Sequence, residues 1–248
     1  RAARFTPADP ARDGTNWYAY CNGDSVNYVD LLGLINVTIA DTDMHGPDWE
    51  NDHLGYSSTN TVGKEGCVVS GLSEIVNALT GSDITPKDVN DNKDNFREGT
   101  DCVDFNAVAT NYGLTHSSYA SDGKSSTMES KIDELNNSAT RNAVLAQVQY
   151  GKDADDLHWV GIIGGVVSIG GMAYVCISQT SCYDNVTVGS IRADAGWVKG
   201  ADGFVYVPVE NIARLETYTT GYRGDLYSAI GKKSEREEVE LAAEFKSR

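Results

Sequence analysis

The period of the apolar positions changes once along this chain. Val69, Leu72, Ile75, Val76 and Leu79 recur at helical spacing, which predicts an amphipathic helix from Cys67 to Thr80-Gly81, glycine closing its C-terminus. Ile84-Thr85-Pro86-Lys87-Asp88-Val89 reads as a second helix start, with Thr85 as N-cap and Pro86 at the first helical position. Cys102, Phe105, Val108, Ala109 and Tyr112 share one helical face that Gly113 terminates, and a polar helix is expected from Thr127 to Asn136. After that the texture is that of strands: Ala143 to Tyr150, His158 to Ile163, Met172 to Ile177, Gly203 to Val207 and Ala213 to Tyr218. The stretch from Gly164 to Gly171 reads as a short glycine-rich loop joining two of them into an antiparallel hairpin. Helices first and an antiparallel sheet afterwards predict an α+β domain of two lobes over residues 35–220.

The flanks have a different texture. Residues 1–34 are rich in turn formers and aromatics, as in Asn16-Trp17-Tyr18-Ala19-Tyr20 and Asn22-Gly23-Asp24, which suits short strands without a core of their own. Residues 221–248 end in Ser234-Glu235-Arg236-Glu237-Glu238-Val239-Glu240-Leu241, a helix with Ser234 as N-cap and only a narrow apolar stripe, expected to be solvated.

Composition narrows the classes. The net charge of −16 argues against a nucleic-acid partner, which needs a basic patch to neutralise phosphate. No apolar run approaches the length of a membrane-spanning helix. The opening Arg1-Ala2-Ala3-Arg4-Phe5 does not resemble a signal peptide, and the chain reads as a piece of something longer. The five cysteines include no CxxC pair, so a structural zinc site is not expected, and no motif calls for a cofactor. Cys21, Cys102 and Cys176 read as buried small hydrophobes, with a Cys176–Cys182 bridge as an alternative for the last. His45 and His53 lie beside Asp48 and Asp52 without ligand-like spacing, and His116 reads as a surface loop residue. Trp49, Trp159 and Trp197 read as core or cleft-lining aromatics.

Cys67 stands apart from the other cysteines. Gly66 bends the chain before it and the predicted helix begins at it, so backbone N–H groups are expected to lower its pKa and make it the most reactive thiol. His158 opens a strand some 90 residues later, where it can take the thiol proton as general base.

Two resemblances follow from longer stretches. Ala3-Arg4-Phe5-Thr6-Pro7-Ala8-Asp9-Pro10, with Asn16-Trp17-Tyr18-Ala19-Tyr20 through Asn27-Tyr28-Val29-Asp30-Leu31-Leu32-Gly33-Leu34, resembles the core-terminal signature of Rhs/YD-repeat proteins. That resemblance implies a β-repeat core ending at residue 34, followed by a variable effector or toxin domain. It implies self-cleavage after Leu34 that depends on Asp9 and Asp30, with Asp30-Leu31 standing where the family has Asp-Pro. It also implies a secreted or cell-surface protein and a cognate immunity protein as partner.

Residues 46–178 resemble the C39-like branch of papain-like cysteine peptidases. The resemblance is carried by Asp48-Trp49, Leu54-Gly55, Gly66-Cys67, Thr80-Gly81, Ile84-Thr85-Pro86, Asn111-Tyr112-Gly113-Leu114 and His158-Trp159-Val160. It implies a papain-like two-lobed fold, a protein or peptide substrate, Cys67 as nucleophile and His158 as general base and acid. Where the family has an aspartate to orient the histidine, this chain has Ser178 and Gln179, and Asp184 is a further candidate. The family's oxyanion glutamine is replaced by Asp43-Met44-His45, which leaves the Cys67 N–H as the assigned donor. The expectation is a cysteine peptidase. The alternatives are a Cys–His deamidase, transglutaminase or acyltransferase, and a catalytically lapsed binding domain.

Overall fold

The structure is a computed structural model that describes residues 43–136, 138, 141–151, 156–178, 195–200 and 204–220. The Rhs-like segment with Asp9, Asp30 and Leu34, the tail 221–248, Cys21, Cys182, Gln179 and Asp184 lie outside the described residues.

Glycines and caps delimit the helices as their local chemistry dictates. After α1 (Val62–Glu65), Gly66 turns the chain where a Cβ would fall 2.7 Å from Val62 Cγ1, and α2 (Cys67–Thr80) starts directly after it. Gly81 closes α2 in the left-handed region at φ 72°, its N–H bonded to Asn77 O. Thr85 then caps α3 (Pro86–Asp91) in a reciprocal box with Asp88. The next helix, α4 (Phe105–Asn111), starts later than its apolar pattern predicts, because Asp104 Oδ1 takes the amides of Asn106 and Ala107 as N-cap. Cys102 therefore stands outside that helix, exposed, which corrects its reading as a buried hydrophobe. The polar helix is α5 (Ser125–Asn136), which buries only Met128 and Ile132.

Among the described residues seven strands form one antiparallel sheet: β1 (Thr115–Ala120), β2 (Asn142–Gln149), β3 (Leu157–Ile169), β4 (Met172–Ile177), β5 (Val198–Lys199), β6 (Val205–Pro208) and β7 (Ile212–Thr219). Their order is β1-β7-β2-β3-β4-β6-β5. The hairpin between β3 and β4 forms as expected, but β3 runs through a register shift near Gly164 as far as Ile169. Its turn is only Gly170-Gly171, both at positive φ, which fits the twist of a two-residue hairpin.

The sheet's pleat sorts side chains into two cores. On one face α2 buries Val69, Leu72, Ile75 and Leu79 against Val89, Val108, Ala143, Leu145 and Tyr218. On the other, Met128 and Ile132 of α5 meet Ala146, Val148, Val160, Ile162, Ile177 and Trp197. Helices on one face and one helix on the other of an antiparallel sheet make an α+β fold. Among the described residues no helix is long and apolar enough to cross a membrane.

Candidate active site

The start of α2 lies against the start of β3. The Cys67 sulfur is in hydrogen-bonding contact with the backbone amide of Trp159, and also with the amides of Val68 and Cys67 itself at the helix N-terminus. The Trp159 amide is the peptide that follows His158, so the structure brings the thiol to the backbone of the strand that carries the predicted base. The thiol's pKa is nevertheless raised. Burial outweighs the three amides that pull it down, and Glu65 adds a smaller push in the same direction. This corrects the expectation of a lowered pKa: a helix N-terminus favours the thiolate, but less than the enclosed sulfur loses in hydration.

His158 is half-buried and pairs with Val148 across β2. The pleat puts its side chain on the same face as Val160 and Ile162, the α5 face, and its ring meets Tyr150 edge-on at 5.9 Å. Trp159 points the opposite way, half-buried on the α2 core, with its ring 5.2 Å from Phe105. The thiol therefore reaches β3 at its edge, and the imidazole leaves the strand on the face away from α2.

Ser178, one residue past β4, is engaged elsewhere. Its hydroxyl donates to Glu74 Oε2 at 2.5 Å and accepts from the Gly161 N–H at 2.9 Å. Glu74 is only 1% exposed and lies on α2 two turns after Cys67. The sequence carries a signal for it: Cys67, Gly71, Glu74 and Ala78 follow the 4-3-4 spacing of one helix stripe, and a lone acid in an apolar helix is out of place unless it is satisfied.

A second buried carboxylate was also missed. Glu216 on β7 is fully buried, and His116 Nε2 lies 2.6 Å from it. Arg214 pairs with the same carboxylate, and Ser118 Oγ donates to it at 3.2 Å. His116 Nδ1 meets Asn106 Oδ1 at 2.9 Å, and the ring packs between Phe105 and Tyr218. His116 is thus a member of β1 whose side chain is 7% exposed, not a surface loop residue.

The remaining candidates are plainer. Trp49 is half-buried and donates its Nε1–H to Asp43 O, and Trp197 is core. His45 and His53 are exposed, and among the described residues no group of three His, Cys, Asp or Glu could hold a metal ion.

The fold and this site define a class no narrower than an α+β domain with a thiol seated between a helix N-terminus and a sheet edge. Comparison with protein-family models finds no match, and a search of curated proteins finds none.

Proposed function

We propose that the chain is a cysteine hydrolase of papain-like, C39-like arrangement that cleaves an amide bond in a protein or peptide. The observation that carries this reading is the Cys67 sulfur, held at once by the first amides of α2 and by the Trp159 amide beside His158.

In this reading His158 removes the Cys67 proton as the sulfur attacks the carbonyl carbon. A thiol held protonated by burial makes such a base necessary rather than optional. In the reacting complex the imidazole must come within hydrogen-bond reach of the sulfur around the edge of β3. The Cys67 N–H, no longer held by sulfur, donates to the developing oxyanion. The imidazolium then protonates the departing amine, and water, deprotonated by the same ring, resolves the acyl-enzyme. Ser178 Oγ donates to Glu74 and accepts from the Gly161 N–H, so Gln179, with Asp184 as alternative, is assigned to the second ring nitrogen.

The likeness of residues 1–34 to the Rhs signature makes this domain the C-terminal effector of a larger exported protein, partnered by an immunity protein. The same Cys–His pair would serve a deamidase, transglutaminase or acyltransferase, and product mass decides between them. Chain scission supports the hydrolase, whereas a mass gain without scission or a cross-link points to the others. Cys67→Ala and His158→Ala should each lower turnover of a cleaved peptide about a thousandfold or more. Undiminished turnover in Cys67→Ala would overturn the reading.

A further inference from the structure

We propose that Glu74 is a positioning residue for Cys67, acting through Ser178 and the edge of β3. The inference rests on the reading of Cys67 as the working thiol.

In an antiparallel pair, opposed residues alternate between positions that exchange two backbone bonds and positions that exchange none, and Gly161 and Ser178 stand at a position of the first kind. The pairing of β3 with β4 closes at Ile162–Ile177, and Ser178 continues it by one backbone bond, from its N–H to Gly161 O at 2.8 Å. The reciprocal bond is made differently. The Gly161 N–H goes to the Ser178 hydroxyl at 2.9 Å, where a backbone carbonyl would otherwise accept it. Glu74 fixes that hydroxyl by accepting its hydrogen bond at 2.5 Å, in a site where Ser178 is 2% exposed.

Two residues further along the same edge of β3, the next amide facing that way belongs to Trp159. It is the amide that meets the Cys67 sulfur. Diverting Ser178 to its side chain at Gly161 thus ends the regular ladder one step before the position the thiol occupies.

Position 161 shows how closely the seat is built. A Cβ there would fall 2.7 Å from Ser178 Oγ and 3.4 Å from Glu74 Oε2. Glycine leaves the room in which hydroxyl and carboxylate meet. Because Glu74 and Cys67 lie seven residues apart, both face β3 from one side of α2. One helix face therefore supplies the thiol and the group that prepares the amide to receive it.

The test is the pH dependence of Cys67 alkylation by iodoacetamide, read by mass spectrometry on the folded chain, with exposed Cys102 as internal control. Ser178→Ala frees the Gly161 amide, and Glu74→Asp keeps the carboxyl group but withdraws it from the hydroxyl. Each should move the Cys67 profile to higher pH and slow labelling below its midpoint about tenfold, the effect of one pH unit. Ser178→Thr keeps the hydroxyl and should restore the wild-type profile. Cys102 should not respond in any variant. A network that only stabilises would lower the melting temperature and leave the Cys67 profile in place. Should Ser178→Ala not fold, Glu74→Asp carries the measurement. Folded variants whose Cys67 profiles superpose on wild type would overturn the proposal. Labelling needs no turnover, so a chain that cleaves nothing yet shows the shift would refute the hydrolase reading and leave the positioning role standing.

Discussion

Two buried carboxylates face the same side of this sheet, and their surroundings differ. Glu216 lies between β1 and β2 in the sheet, gripped by His116, Arg214 and Ser118. Glu74 lies on the helix above β3, holds the Ser178 hydroxyl, and shares its stripe with a thiol. In the first cluster the carboxyl group is held by a histidine, an arginine and a hydroxyl, and the rings of Phe105 and Tyr218 flank the histidine. In the second the carboxylate shapes a backbone edge where Cys67 meets an amide. A buried carboxyl group held by several partners fastens strands together, whereas one that redirects a ladder bond alters what the neighbouring residue can touch. The first cluster is thus expected to govern stability and the second to govern reactivity.

The largest effect should come from breaking the first cluster. Glu216→Ala leaves His116 and part-exposed Arg214 without their carboxylate, and β1 is joined to the sheet through β7 alone. Removing one member of a buried ion pair costs about 3–5 kcal/mol. Discounting for Arg214, which solvent reaches, the expected loss is about 3 kcal/mol in urea unfolding. The Cys67 alkylation profile of whatever remains folded should not move. A shifted profile would mean the two clusters are coupled, through the Trp159–Phe105–His116 ring contacts.

How much of this was legible in the sequence follows from the range of the interactions involved. The bounds of α2 and the Thr85 cap before Pro86 were readable, because Gly66, Gly81 and Pro86 act within a few residues of themselves. β2 and β4 were readable from their apolar runs. β1 was not: Thr-His-Ser-Ser-Tyr-Ala carries little apolar signal, and its pairing partner β7 begins about 90 residues later. His116 is buried only because Phe105 and Tyr218 cover it, a fact spread over three elements. For Cys67 the position was readable and the electrostatics were not. Helix-start amides are visible in sequence, but the enclosure of the sulfur is a property of packing.

That enclosure gives the second prediction, on the thiol itself. With its folded pKa above the ordinary thiol value near 9.0, Cys67 should alkylate more slowly than exposed Cys102 near neutral pH, and unfolding in urea should remove the difference. The sign for stability follows from linkage. Below the unfolded thiol's pKa both states are protonated and the contribution is fully present. As pH rises through the unfolded and then the folded value, the unfolded chain ionises first and stability is lost. Cys67→Ala should flatten that part of the alkaline decline in unfolding free energy. A decline of equal depth in the variant would assign it to other groups, buried Tyr218 first among them, since burial raises its pKa as well.

The smallest expected effect separates the two nitrogens of His116. Nε2 faces the buried carboxylate and Nδ1 faces Asn106, an exposed residue in the first turn of α4. Removing the amide by Asn106→Ala leaves water free to replace it on Nδ1. The loss should then be that of one solvent-replaceable hydrogen bond, about 0.5–1 kcal/mol. Asp104 retains its bonds to the backbone amides at positions 106 and 107, so the α4 cap survives the substitution. Urea unfolding measures the difference directly. A loss approaching that of Glu216→Ala would show that Asn106 fixes the histidine's orientation toward Glu216. The cluster would then be a three-membered lock reaching from α4 to β7, and the strength ascribed to its ion pairs would belong partly to that amide.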